Sequence, residues 1–393
     1  MDALKILAEA CADVRPAEPD DAPWAARFTA APADAGEAAA LLRAAADLGL
    51  AVVPRGGGTR LRWGAPPTRC DLLVDTRRMD RIVEHAAGDL VVTAEAGTPL
   101  AVLGAALAEH GQRLSLDGQP PGATVGGAVA SGAAGPLRLL YGSPRDLVIG
   151  LTIVRADGAV ARSGGKVVKN VAGYDLGRLF AGSSGTLGLI VSATFRLHPV
   201  PEARAFVSRT FAGPGEAHDA VQRVLHSPAY PAAVECSSAA GHRVDVLLEG
   251  VANGVPDRAA AVADLLGGGT VAAGPPSGWA ELPAGGTLVH ASVPPGSLRD
   301  LLAVPLPADA ALAWSASGHA RVVLPGGTAP GRVADALAAL RALGSAVVRD
   351  APPDVRDAVD VWGEIPGLAL MRRVKDQFDP DHRLSPGRFA GGI

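Results

Sequence analysis

Apolar residues recur at helical spacing from Gly36 onward (Ala38, Leu41, Leu42, Ala45, Leu48), and the run passes into an unbroken apolar stretch, Leu50 to Val53, closed by Pro54. The first pattern predicts an amphipathic helix and the second a short buried strand. A glycine-rich loop follows at once. Strand-like runs then appear at Leu72 to Asp75 and Leu90 to Ala94, and a helix from Pro99 to Glu109 stops at Gly111, where a helix C-terminus favours glycine. Together these make one small α/β unit that ends near residue 115.

Residues 117–150 are dense in glycine, yet single apolar and hydroxyl residues stand between the glycines, so the stretch reads as a fold element rather than a linker. Strands at Leu147 to Ala156 and Ala159 to Ser163 flank Asp157-Gly158, a hairpin signal, and Gly188 to Leu197 forms another strand, ended by Pro199. This is a second α/β unit. Beyond Pro199, strands (Ala205 to Phe211, Ala233 to Ser237, Val244 to Leu248, Thr287 to Val293, Arg321 to Leu324) alternate with helices at Glu216 to Leu225, Asp257 to Leu266 and Gly331 to Leu343. That order predicts an antiparallel sheet with helices on one face. The tail from Val361 carries one helix, Leu368 to Phe378, then Asp379-Pro380 and a Pro386-Gly387 turn; no internal repeat is visible.

A chain of 393 residues exceeds what one hydrophobic core supports, in keeping with more than one packing unit. Its net charge of −4 gives no electrostatic case for nucleic acid or an anionic membrane. Cys11, Cys70 and Cys236 are scattered, without CxxC spacing, so neither a disulfide framework nor a cysteine-held cluster is encoded, and a reducing cytoplasm fits best. No run approaches the roughly 18 apolar residues of a membrane span, and no basic stretch precedes an apolar one at the N-terminus. The chain is expected to be soluble, or peripheral at the membrane through partners.

One compositional feature points to chemistry. Lys, Asn and Tyr total only nine residues, yet Lys166, Lys169, Asn170 and Tyr174 fall within nine consecutive positions. The second candidate is Val53-Pro54-Arg55-Gly56-Gly57-Gly58-Thr59-Arg60, a strand running into three glycines. Glycine admits positive φ and close backbone approach, so successive N–H groups can converge on an anion such as a diphosphate. Charge-assisted hydrogen bonds of about 1.5–3 kcal/mol each would make three or four of them a large share of the roughly 12 kcal/mol behind nanomolar cofactor binding. The loop has neither the GK[ST] ending of a P-loop nor the G-x-G-x-x-G of a Rossmann helix. Taken alone it is equally an ordinary glycine-rich turn.

Two further glycine blocks, Gly122-Ala123-Thr124-Val125-Gly126-Gly127 through Gly135 and Gly182-Ser183-Ser184-Gly185-Thr186-Leu187-Gly188-Leu189-Ile190, change that picture. The three blocks together resemble the FAD-binding domain shared by vanillyl-alcohol oxidase and p-cresol methylhydroxylase. Within that superfamily the chain resembles the FAD-binding subunit of bacterial glycolate oxidase and its D-lactate dehydrogenase relatives. Four segments carry the likeness: PRGGGTRLRWG at 54–64, ATVGGAVASGAAGPLRLLYGSPRDLVIG at 123–150, GGKVVKNVAGYDLGRLFAGSSGTLGLI at 164–190 and KDQFDPDHRLSPGRF at 375–389.

The resemblance implies an α+β flavoprotein: a two-part FAD domain over about 1–200, a ferredoxin-like cap over about 201–360, and a tail at 361–393 rejoining the FAD domain. It sets Pro54, Arg55, Gly56, Gly57, Gly58 and Thr59, with Gly122, Gly126 and Gly127, around the diphosphate. Gly185, Gly188 and Ile190 lie on the adenine side. Thr124, Ser131, Gly135, Tyr141 and Asp146 fall at cofactor-lining positions, although Asp146 equally suits a capping role. Lys166 and Asn170 approach the flavin, and Lys169 and Tyr174 become candidates for stabilising the reduced ring or holding a substrate carboxylate; exposed lysines beside a packed tyrosine are the plain alternative. His319 and Arg321 lie on a cap strand that would place substrate-contacting groups over the flavin, and His319 is a candidate base, or a structural histidine. Arg388 suits a substrate carboxylate or a structural ion pair. No His or Cys occurs in 54–64 or 117–197, so the FAD is expected to be non-covalent.

The implied reaction is hydride removal from the α-carbon of a 2-hydroxy acid such as glycolate or D-lactate, with electrons leaving through a second flavin subunit and an iron–sulfur subunit. The chain departs from some relatives in lacking their H-x-G-D-x-N and Glu-His metal motifs. That departure leaves two other readings open: a silent FAD-holding subunit for electron relay or assembly, and a stand-alone sugar or aldonolactone oxidase.

Overall fold

The computed structural model describes residues 3–165, 175–238, 241–281 and 285–393. Its first sheet has four strands in the order Val14–Pro16, Phe28–Ala30, Leu72–Asp75, Val52–Arg55, the last three mutually parallel. Helix Ala35–Asp47 lies on this sheet because Ala38, Leu41, Leu42 and Ala45 form one apolar face. Asp34 starts it by accepting the amides of Gly36 and Glu37 at 2.7 and 2.9 Å, a typical N-cap. The tail closes the outer edge: Val52 donates to the Arg383 carbonyl and Ser385 donates to that of Val52, each at 2.8 Å.

The second sheet runs Ile82–Ala86, Val91–Glu95, Leu189–Arg196, Val148–Val154, Val160–Gly164, with every pair antiparallel. This corrects the division expected near residue 115. Strand Val91–Glu95 pairs with Leu189–Arg196 and so belongs to the second unit, and the boundary falls in the turn before Ile82. Alternation identifies a strand but not its partner, which here lies about a hundred residues away in sequence.

The cap is a sheet of eight strands, all antiparallel. It is two β-α-β-β-α-β units side by side, the ferredoxin-like arrangement expected of the cap, present twice. The first contains Ala203–Phe211, Pro214–Leu225, Ala233–Ser237, His242–Gly250, Val255–Leu266 and Thr270–Ala272; the second contains Thr287–Ser292, Leu298–Leu302, Ala311–Ser315, His319–Leu324, Pro330–Leu343 and Ser345–Asp350. Counted within each unit, the strands lie 4-1-3-2 and then 2-3-1-4 across the sheet, so the units meet at their second strands, with Cys236 opposite Trp314. Repetition of topology without repetition of residues leaves no trace in the sequence.

Period-two alternation decides which cap residues reach the site. Cys236, Val289, Ala291, Trp314, Ala320, Val322 and Val348 pack under the helices. Glu235, His290, Ser315, His319 and Arg321 therefore stand on the opposite face, towards the first two sheets. The two domains are clamped by Glu249 of the cap, which accepts from Arg113 at 2.8 Å and from the Tyr141 hydroxyl at 2.8 Å.

Candidate functional site

A cleft of about 930 Å3, counting its mouth, lies between the first two sheets. Three backbone segments wall it: 54–64 after strand Val52–Arg55, helix Val125–Ser131 with Thr124 before it, and 184–190 leading into strand Leu189–Arg196. Pro54, Arg55, Gly56, Gly57, Gly58, Thr59, Thr124, Gly126, Gly127, Ser131, Gly185, Gly188 and Ile190 all line it, as does Arg388.

The glycines are required by contact. A Cβ on Gly57 would lie 1.8 Å from the Gly122 carbonyl oxygen, and one on Gly56 would lie 2.3 Å from Thr124 Oγ1. A Cβ on Gly126 would come within 2.7 Å of Ala96 Cβ. From Gly56 to Arg60, five successive backbone amides donate no hydrogen bond among the described residues. A run of unpaired donors in a concave turn suits the oxygens of a phosphate chain, and this is the feature by which the cleft fits a dinucleotide.

The loop at 184–190 is held from behind by the tail. Lys375 is fully buried, and its Nζ donates to Asp379 at 2.6 Å and to the carbonyls of Thr186 and Leu384 at 2.8 Å each. Burial pulls the Lys375 pKa down, and Asp379 opposes that pull. Arg388 also joins tail to cleft: its Nη2 donates to the carbonyls of Leu61 and Trp63, at 2.8 and 2.9 Å, and its guanidinium lies 4.7 Å from the Trp24 ring centre. Burial lowers its pKa to about 10.

A second cavity adjoins the first, and Trp63, Ser131 and Arg349 border both. It is lined by Gly132 to Pro136, after helix Val125–Ser131, and by the exposed face of the cap sheet, including His290, His319 and Arg321. Trp63 meets His290 edge-on at 5.1 Å and lies beneath Arg60, 4.9 Å from its guanidinium. Arg60 is fixed by Gln119 and the Gly118 carbonyl, at 2.6 and 2.7 Å. Burial and the surrounding guanidinium groups of Arg349, Arg321 and Arg60 push His290 well below the usual histidine value. His319 is lowered by burial and by Arg138, while its Nδ1 lies 3.2 Å from the Ser317 carbonyl oxygen.

Several residues expected at the cofactor stand elsewhere. Tyr141 is part of the interdomain clamp, where burial and Glu249 push its hydroxyl up to about 12. Asp146 accepts the Ser143 amide and hydroxyl at 2.9 and 2.8 Å, capping the turn that feeds strand Val148–Val154. Gly135 lines the second cavity, against Asp117. Gly122 backs Gly57 from outside the cleft lining. The Arg55 guanidinium is committed to Asp75 and the Asp21 carbonyl, so its charge is neutralised inside the first sheet. Lys166, Lys169, Asn170 and Tyr174 lie outside the described residues.

Conversely, sequence reasoning gave no role to Trp63, Arg138, His290 and Arg349, and reached Arg60 only as the last residue of the glycine loop. Arg60 and Trp63 stood within the quoted 54–64 segment. His290 and Arg349 were legible only as polar positions interrupting apolar alternation in Thr287–Ser292 and Ser345–Asp350.

Residues 26–164 match the FAD binding domain family. The chain is 42% identical over 160 residues to the glycolate oxidase subunit GlcE of Escherichia coli K12, covering 40% of this chain and 45% of that protein. It is 34% identical over 208 residues to the glycolate oxidase subunit GlcD of Bacillus subtilis, covering 52% and 44%. With the D-lactate dehydrogenase of Archaeoglobus fulgidus it shares 41% over 170 residues, covering 43% and 38%. The chain thus spans about half the length, or less, of the curated relatives it matches. The structure of p-cresol methylhydroxylase with substrate bound aligns with 98% of this chain and 96% of its own, at a TM-score of 0.74 and 17% identity, a likeness of fold.

Proposed function

We propose that the chain, whose residues 26–164 match the FAD binding domain family, oxidises a 2-hydroxy acid to a 2-oxo acid with non-covalent FAD as the immediate acceptor. The observation that carries this reading is the junction at Trp63, Ser131 and Arg349, where the cofactor cleft opens into a cation-lined chamber.

The amides of Gly56 to Arg60 would hold the diphosphate, and backbone near Gly188 to Ile190 the adenine end. When bound, FAD supplies the acceptor for a hydride leaving the substrate α-carbon. Arg349 would hold the substrate carboxylate beside the cleft. His319, kept neutral by burial and by Arg138, is suited to take the hydroxyl proton. Lys169 and Tyr174 are proposed to act at the same place, with Lys166 and Asn170 near the ring. Arg388, with its Nη2 on the Leu61 and Trp63 carbonyls, is assigned to shaping the cleft. Because two relatives are named as subunits of glycolate oxidase, we place the chain beside a second flavin subunit and an iron–sulfur subunit.

Anaerobic mixing of FAD-loaded protein with glycolate or D-lactate tests the reaction. Bleaching of the flavin band is the expected result. Flavin that stays bound and unbleached, with or without co-purified partners, would overturn catalysis in favour of a relay subunit.

A further inference from the structure

One row of the cap sheet is polar from edge to edge. In register, Asp245 faces Glu235, Glu235 faces Ser315, and Ser315 faces His319. The row continues through Ser208 to Thr270 on one side and through Ser292 to Ser345 on the other, so all eight strands contribute and none places an apolar residue there. Its two ends open into cavities. Ser315, His319, Ser292 and Ser345 line the chamber beyond Trp63, while Ser208 and Thr270 line a surface hollow beside Arg243. Between them lie only Glu235 and Asp245, 1% and 0% exposed.

Two buried carboxyl groups on facing strands are a costly way to fill core positions. Each has one cation: Arg321 donates to Glu235 at 2.7 Å, and Arg243 donates to Asp245 at 2.8 Å. One Asp245 carboxylate oxygen is buried without a hydrogen-bond partner among the described residues. Asp117 faces Glu235 and Arg321 as a third acid. Burial raises all three carboxyls, Glu235 to about 7, against the pull of Arg321 and Arg243. Coupled acids of this kind take up and release protons near neutral pH.

The oxidation proposed above frees a hydroxyl proton in a chamber none of whose described lining residues is acidic. Burial and Arg138 disfavour an imidazolium at His319, and His290 on the next strand is held neutral as well, so a proton received at His319 must move on. His319 Nδ1 lies 3.2 Å from the Ser317 carbonyl oxygen, which can only accept, so Nδ1 carries the hydrogen and Nε2 is the free acceptor. The Ser317 hydroxyl oxygen stands 3.4 Å from Nδ1 and 3.2 Å from that of Ser315. Ser315 and Glu235 are directly opposed, as are Glu235 and Asp245. Such pairs stand about 4.5–5.5 Å apart at Cβ, a gap that one water or one carboxyl rotation spans.

We propose that this row carries the substrate's hydroxyl proton from the chamber to solvent, through His319, Ser317, Ser315, Glu235 and Asp245 to the hollow at Ser208. This rests on the oxidation proposed above and deepens it. His319 gains a proton at Nε2 and loses one at Nδ1. Each hydroxyl receives one proton and passes one on, and each carboxylate is protonated and then released. No electrons travel this way, because the hydride takes both to FAD. Glu235 and Asp245 act through His319 and touch no substrate.

The first test needs no substrate. Infrared spectra of FAD-loaded protein below neutral pH contain the carboxylic C=O band of protonated Glu235, identified by its loss in Glu235→Gln, and the shift of this band in D2O times its proton exchange. Exchange should be fast in the native protein and in Asp245→Asn or Ser315→Ala alone, each of which leaves one end open. In the double variant it should slow by about tenfold or more. Native exchange as slow as in the double variant, or a double variant as fast as the native protein, overturns the path. Flavin content, read from absorbance, shows that each variant is folded. Where glycolate or D-lactate bleaches the flavin, turnover with an artificial acceptor should rise with pH through the Glu235 ionisation. That rise should vanish in Glu235→Gln and return in Glu235→Asp; a rise that Glu235→Gln retains overturns the path and leaves the oxidation standing. Fast native exchange with flavin that neither acid bleaches overturns the oxidation and leaves the connection standing.

Discussion

The cofactor cleft and the chamber beside it are built on opposite plans. Backbone does the work in the cleft: a run of unpaired amides at 56–60, and glycines whose missing Cβ atoms leave room for neighbouring chain. Side chains do it in the chamber, where His290, His319, Arg321 and Arg349 project from a sheet whose other face is buried under helices. Main-chain recognition depends on conformation and therefore on what braces the loops from behind. Side-chain recognition depends on single residues, which can change without disturbing the sheet.

The largest effect should come from removing that bracing. Lys375→Ala leaves Asp379 buried without its cation, and breaking such a pair costs about 3–5 kcal/mol. The expected outcome is a lower unfolding midpoint in denaturant and loss of bound flavin, although Lys375 does not line the cleft. Retention of both stability and flavin would show that the loops support themselves.

Next in size is Gly57→Ala. Its Cβ would meet the Gly122 carbonyl oxygen at 1.8 Å, so the loop must move. Overpacking costs about 1–3 kcal/mol, equivalent to roughly 5- to 150-fold weaker FAD binding. Fluorescence titration of apoprotein with FAD measures it, and unchanged affinity would remove the amide run from the cofactor site.

On the chamber side, Glu235 is pushed up to about 7 by burial, despite Arg321. Asp117, which faces Arg321 from the FAD domain, is raised as well, chiefly by burial. With the folded pKa of Glu235 above the unfolded value, the folded state binds more protons between about pH 4.5 and 7. Stability should therefore fall as pH rises through that window and level off above it. Glu235→Gln should flatten this slope by up to about 3 kcal/mol, read from denaturant melts across the range. A slope that Glu235→Gln leaves intact would assign it to other groups.

The smallest effect serves as a control. Asp146→Ala removes a cap, not a cofactor contact, and should cost about 1 kcal/mol of stability with full flavin content. Loss of flavin from a stable Asp146→Ala protein would return this residue to the cofactor.

The same contrast explains how far the sequence could be read. Gly56, Gly57 and Gly126 announce themselves because no other residue fits their backbone, and three such blocks in order were enough to indicate an FAD domain. Helices Leu368–Phe378 and Pro330–Leu343 were equally plain from their apolar spacing. The partner of strand Val91–Glu95 was not, since alternation carries no address. Arg349 and His290 were also invisible as site residues. Each is one polar residue among apolar neighbours, and only the sheet's place against the FAD domain turns that face into a chamber wall. Tyr141 shows the converse: a residue that the resemblance sets along the cofactor here pairs with Arg113 and Glu249 between the domains.

The docking of the tail fixes when the cofactor site can exist. Strand Val52–Arg55 receives its outer neighbour from Arg383 to Ser385, and Arg388 reaches the Leu61 carbonyl across 327 positions of chain. A ribosome emits those partners among the last of the described residues, long after the glycine loop has emerged. FAD capture must then await synthesis of the tail, and nascent chains stalled before Lys375 should carry no flavin.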